Sequence, residues 1–347
     1  LLAVRCELAD EILFRQYLQW IAGEQWQAVR RGIDEIEVFG DLPFMVDADS
    51  ADVWARQDQF RLDASVGAPP DAFSKTGQRW GLPPCRWDVM SRTEFQWLAQ
   101  RARRSAALFD GYRVDHLVGF YRTYVIPDGE QFGRFEPENP DAGLALGEEI
   151  VKVFCAAPAR VIAEDLGTVP DWVRTSLTRL GVAGYRVLRW EREWHTDGRP
   201  FRDPADYPAL SVATTGTHDT ETLAVWWDGL ASAERAALLK VSSLAGPAAA
   251  AGITAESPFA QPVRDLLLEQ LYASGSDLLI LPVQDVFGWR DRVNLPGLVS
   301  DDNWTWRLPW LSDEMLDEPD ARERAATLRL WGERHGRRKT AHEITDL

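Results

Sequence analysis

The stretch GYRVDHLVGF, residues 111–120, carries the decision about the fold. Tyr112-Arg113-Val114 reads as the end of a buried strand, yet the run stops on Asp115 and His116. A charge at the end of a buried strand has to be paired or used, because desolvating it alone is expensive. Outward from this stretch the same arrangement returns. Helical patterns alternate with short apolar runs, and these runs close on polar residues: Gly40-Asp41, Asp115-His116, Glu164-Asp165, His218-Asp219 and Gln284-Asp285.

Six βα units can be read this way, at 33–46, 111–116, 160–165, 184–190, 210–219 and 277–287. Continuous apolar strands alternating with helices mean a parallel sheet covered on both faces. Two parallel architectures compete. A dinucleotide-binding sheet carries G-x-G-x-x-G after its first strand, and none occurs. Polar residues gathered at the C-terminal ends of several strands mark a TIM-type (β/α)8 barrel instead. The expectation is an α/β barrel with six of its eight units visible. No linker separates two domains, so residues 1–347 are expected to form one catalytic barrel domain.

Local signals add detail. Residues 11–31 carry a helical stripe of Leu13, Tyr17, Leu18, Trp20 and Ile21, ended by Gly32. A helix is predicted over 91–109, opened by a capping box of Ser91 and Glu94. Pro170 opens another, which Gly181 ends. AGPAAAAG, 245–252, reads as a loose connection. GYRV recurs at 184–187, too short for a repeat, although both copies begin a strand.

Composition excludes several function classes. A net charge of −16 disfavours a phosphate-binding surface, so no nucleic-acid partner is expected. No apolar run reaches membrane-spanning length and no secretory signal is visible, so no membrane partner is expected either. Nothing points to an obligate protein partner. Cys6, Cys85 and Cys155 are an odd count without a CxxC pair, which fits reduced thiols in the cytoplasm. The five His residues lack ligand spacing, and residues 47–54 lack the Gly and Glu of a calcium loop. With no HExxH, GxSxG or GxxxxGK[ST], neither metal nor cofactor is expected. Most of the sixteen Trp belong to core filling, and flat aromatic faces are also what sugar rings stack on.

Asp115, Glu164 and Asp219 stand at three strand ends. Taken singly, each has an ordinary explanation. An Arg-x-Asp pair is more often structural, an acid before Gly suits a helix N-terminus, and His218-Asp219 could be a hydrogen-bonded pair. Taken together they suggest glycoside chemistry, in which two carboxyl groups flank the scissile bond, about 5–5.5 Å apart when configuration is retained. Arg113, two residues before Asp115, shares its face of the strand and favours an ionised nucleophile. Glu164 follows the apolar run Val161-Ile162-Ala163, where desolvation favours a protonated acid.

The motifs GDLPFMVDADSADVW, PPDAFSKTGQRWG, YRVDHLVGFYRTYVIP, IAEDLGTVPDWV, GTHDTETLAVWW and PVQDVFGWRDRVNLPG together resemble 4-α-glucanotransferase, also called amylomaltase or disproportionating enzyme, a barrel family related to the α-amylases. They occur in family order from about residue 10 to about 310. The resemblance implies transfer of α-1,4-glucan segments between maltooligosaccharides. It makes Asp115 the nucleophile, Glu164 the general acid and base, and Asp219 the transition-state stabiliser with His218 beside it. Arg113 matches the family's arginine, while Asp49, Asp71, Trp80 and Asn294 match positions that line the glucan groove. Residues 68–84 match a segment that overhangs the site. Ala72 and Leu82 depart from an aromatic and an Asn common in the family, and 133–147 lacks its glycine-rich pattern. The family has further sequence ahead of the first helix here, including two barrel strands, and residue 1 is Leu. The chain is therefore expected to be N-terminally incomplete. An α-glucan hydrolase and a truncated, non-catalytic glucan-binding chain are the alternatives.

Overall fold

Three parallel strands, Phe39–Leu42 (β1), Gly111–Val114 (β2) and Arg160–Ala163 (β3), pair in register, with Asp41 opposite Arg113 and Val114 opposite Ala163. The first residue of β2 has to be glycine. A Cβ on Gly111 would lie 2.3 Å from the Phe39 ring and 2.8 Å from the Arg160 carbonyl oxygen. The computed structural model describes residues 2–33, 36–70, 77–296, 298 and 300–337. Backbone contacts divide it into two compact units, one of Leu1–Gly67 with Gly81–Glu164, the other of Ala68–Trp80 with Asp165–Leu347.

β1 to β3 belong to the first unit. The helix Ala9–Gly32 (α1) precedes β1, Gln96–Leu108 (α2) precedes β2, and Pro140–Cys155 (α3) precedes β3. α3 starts on Asn139, whose side chain accepts from the Asp141 and Ala142 amides, with Pro140 in the first turn. Its Ile150, Val151 and Phe154 are buried, and Phe120 packs tilted against Phe154 at 5.3 Å. Between β2 and α3 the strand Thr123–Pro127 pairs antiparallel with Ala64–Ala68 and Arg134–Glu136.

The second unit repeats the parallel pattern. Ala183–Val187 (β4) lies beside Ser211–Thr214 (β5), which lies beside Leu278–Leu279 (β6). Asp171–Arg179 (α4) precedes β4, Leu223–Gly229 (α5) follows β5, and Gln261–Tyr272 (α6) precedes β6. Leu223, Trp227, Leu267, Leu268 and Leu271 are fully buried in one core with Leu238 and Leu244. All six predicted units contain a parallel strand among the described residues.

Four local expectations change. Ser91 caps no α-helix: Ser91–Thr93 is a 3-10 turn, and Glu94 and Phe95 are left-handed at φ 50° and 53° before α2 begins. That reversal lets Phe95 and Trp97 both enter the core, and burying two large aromatics outweighs a local cap. The connection at 245–252 lies largely in the helix Ser242–Ala250, where Leu244 and Ala248 are buried one turn apart despite Pro247. The run 277–287 is a two-residue strand followed by the short helix Val283–Phe287 (α7), so Gln284-Asp285 stands on a helix and not at a strand end. The stripe on α1 exists, but no residue of this helix is buried. No helix among the described residues is long and apolar enough to cross a membrane.

Candidate active site

The parallel ladder of the first unit continues one residue past its strands. The Asp115 amide donates to the Leu42 carbonyl at 3.0 Å, and the Glu164 amide to the Val114 carbonyl at 3.1 Å. Both acids therefore stand at C-terminal strand ends. Arg113 links them. Its Nη1 donates to both carboxylate oxygens of Asp41 at 2.8 Å, and its Nη2 lies 2.9 Å from Asp115 Oδ1 and 3.9 Å from Glu164 Oε2. Burial penalises the guanidinium charge, but the carboxylates of Asp115, Asp41 and Glu164 more than offset this and raise its pKa.

His116 turns the chain away from β2 with a left-handed backbone, φ 40°. That turn aims its amide at Glu164 Oε2, 2.7 Å away. Its ring packs edge-on against Phe44 at 5.3 Å. Burial lowers the imidazole pKa to about 4, with Asp115 opposing and Arg113 adding to the shift. The ring is neutral at neutral pH.

In the second unit the chain leaving β5 forms a turn closed by its own threonines. The Asp219 amide donates to Thr217 Oγ1 at 3.2 Å, and the Thr217 amide to Thr220 Oγ1 at 3.1 Å. Asp219 Oδ2 lies 3.3 Å from His218 Nε2, and Oδ1 accepts from Asn294 Nδ2 at 2.6 Å. The Asn294 amide donates to the His218 carbonyl at 3.2 Å. Arg292 donates to the backbone carbonyls of Asp219 and Asn294. A fixed carboxylate with an amide and an imidazole beside it is suited to holding vicinal hydroxyls.

The structure thus brings Asp115, Glu164 and Arg113 together, and separately His218, Asp219 and Asn294. Asp49 is exposed in the turn before the short helix Ala51–Ala55, its amide donating to Asp47 Oδ1 at 2.7 Å. Among the described residues it is not bonded to the Arg113 cluster. Trp80 is half-buried, with its indole nitrogen donating to Gln78 Oε1 at 3.0 Å. Asp71 and Ala72 lie outside the described residues. Asp41 was visible in the sequence as a strand-end acid, but its partnership with Arg113 needed the strand register. The bonds of Arg292 had no sequence signal.

Two other acids of the polar pairs, Asp165 after β3 and Asp285 on α7, have structural work. Asp165 accepts from the Tyr185 amide at 2.7 Å and faces Arg174 and Arg186, each at 3.5 Å. Gly184 makes room for it, since a Cβ there would lie 2.6 Å from Asp165 Oδ2. Asp285 accepts from the Leu223 amide at 2.6 Å, at the start of α5, and from the Thr215 hydroxyl. Burial raises its pKa, against the hydrogen bonds from Thr215 and Leu223 and the charge of Arg189. No group of three or more His, Cys, Asp or Glu among the described residues could hold a metal ion.

A family model described as 4-alpha-glucanotransferase matches residues 1–313. The chain is 35% identical over 307 residues to the 4-alpha-glucanotransferase of Chlamydia pneumoniae, covering 86% of this chain and 57% of that protein. It is 36% identical over 343 residues to the enzyme of that name from Thermus thermophilus, covering 93% and 65%. Among solved structures, the amylomaltase of Streptococcus agalactiae in complex with acarbose matches with a TM-score of 0.78 at 26% identity, over 94% of this chain and 64% of that one. The chain spans less than two thirds of each of these relatives. The six parallel βα units and this likeness bear out the expected class, part of a TIM-type barrel.

Proposed function

Because the chain belongs to the 4-alpha-glucanotransferase family, we propose that it transfers α-1,4-glucan segments between maltooligosaccharides by a retaining double displacement. The observation that carries this reading is the half-buried Arg113 guanidinium, held by Asp41, with the carboxylates of Asp115 and Glu164 beside it. In the first step an Asp115 oxygen attacks the anomeric carbon while Glu164 gives its proton to the departing 4-oxygen. Arg113 engages Asp115 Oδ1, so Oδ2 is assigned to the attack. The His116 amide engages Glu164 Oε2, which supports Oε1 as the oxygen carrying the proton. In the second step Glu164 takes the proton of an acceptor 4-hydroxyl, whose oxygen displaces Asp115 and restores the original configuration.

Asp219, with His218 and Asn294, is read as the group that holds hydroxyls of the reacting sugar. Asp49, Asp71 and Trp80 are read as lining the glucan groove, and no cofactor takes part. The three cysteines are free thiols, which supports a cytoplasmic location.

The test is incubation with maltotriose followed by separation of products by length. Glucose together with a ladder of longer maltooligosaccharides is expected. Glucose and maltose without longer products would make the protein a hydrolase. Asp115→Asn is expected to lower transfer at least about a thousandfold while leaving the unfolding midpoint in place. Near-normal turnover in that variant would remove Asp115 from the mechanism.

A further inference from the structure

We propose that the indole of Trp304 is a stacking platform for a glucosyl ring beside the Asp219–Asn294 pair, an inference that rests on the glucan-transfer reading. Most aromatics near the end of the second unit support one another. Phe287 and Trp289 stack at 4.5 Å, and Trp306 and Trp310 pack onto Trp289 at 5.8 and 5.5 Å. Those four rings are half-buried. Trp304 stands apart from them, 60% exposed, with its ring 5.0 Å from that of His218.

Its backbone is the second observation. Trp304 has φ 63°, a left-handed conformation that a bulky L-residue rarely adopts. The chain holds it there with specific bonds. The Trp304 amide donates to the Val293 carbonyl at 2.9 Å, one residue from Asn294. Next to it, Asn303 closes the preceding turn, accepting from the Leu295 amide at 3.0 Å and donating to the Leu298 carbonyl at 2.8 Å. Strain maintained at an exposed side chain points to a use for that side chain. A pyranose has an edge of hydroxyls and a face of C–H groups. Asp219 and Asn294 suit the edge, and a flat indole suits the face.

The experiment measures maltoheptaose binding by calorimetry in the Asp115→Asn protein, where turnover is blocked. Trp304→Ala and Trp304→Leu, added separately, are expected to weaken binding about fivefold or more, and Trp304→Phe to keep it within about twofold. All are expected to keep the unfolding midpoint. Full affinity in Trp304→Ala or Trp304→Leu would overturn the stacking role and leave the glucan reading standing. Equal losses in all three with a lowered midpoint would overturn it too, making the ring a prop for His218. No maltoheptaose binding by the Asp115→Asn protein itself would overturn both readings.

Discussion

Arg113 shows how much of the candidate chemistry rests on one half-buried guanidinium. Asp41 fixes the near side of the fork, which leaves Nη2 for Asp115. Asp41→Asn keeps the shape and removes the charge, so Arg113 should shift and carry the nucleophile out of line. A fall in kcat of about ten- to a hundredfold with KM little changed is expected, and a wild-type kcat would show that Asp41 does not act through Arg113. His116 offers a pH test. Its pKa is about 4 in the folded protein against an ordinary 6.5, through burial. The unfolded chain therefore binds a proton here, and the folded one does not, between those values. This group destabilises the fold as pH falls from 6.5 toward 4 and has no effect above that window. His116→Asn, a residue that tolerates the left-handed backbone, should flatten that part of the stability profile measured by urea unfolding. An unchanged slope would mean the ring is not held neutral. Asp115 and Glu164 were legible because each closes an apolar run. Arg113 beside Asp115 was legible too, but the grip of Asp41 on Arg113 was not, since those two lie 72 residues apart.

At the scale of elements, the same kind of sequence signal led to different outcomes. An acid after an apolar run marks both Glu164 and Asp285, but Asp285 sits on a short helix and ties α5 to the end of β5. Asp285→Ala is expected to cost about 2–3 kcal/mol of stability, because it orphans the Leu223 amide and the Thr215 hydroxyl. Urea unfolding measures this. A loss of turnover with stability intact would instead assign Asp285 to the chemistry. The helix predicted from Ser91 failed for a related reason. Its capping pattern is real, but Phe95 and Trp97 gain more from burial than a cap supplies, typically about 1 kcal/mol. Pro170 and Gly181 do flank α4 as expected, because they act through their own backbone, Gly181 at φ 72°.

For the molecule as a whole, charge and exposed apolar surface set the behaviour. A net charge of −16 keeps copies apart at low salt, while α1 exposes Leu13, Phe14, Tyr17, Leu18 and Trp20. Since no residue of α1 is buried, Trp20→Gln is expected to change stability by less than about 0.5 kcal/mol. A larger loss in urea unfolding would show that this face is covered in solution.

The sequence by itself determined the parallel βα class, the strand ends and the candidate acids, because hydrophobic period and adjacency are local properties of the chain. Tertiary structure decided that Arg113 is shared by Asp41, Asp115 and Glu164, that Asn294 and not another amide meets Asp219, and that Asp165 and Asp285 are structural. Those outcomes depend on strand register and on which side chains packing brings within 3.9 Å. These strands are parallel and joined by long crossovers, so no tight turn fixes their register, and it emerges from contacts between residues far apart in sequence.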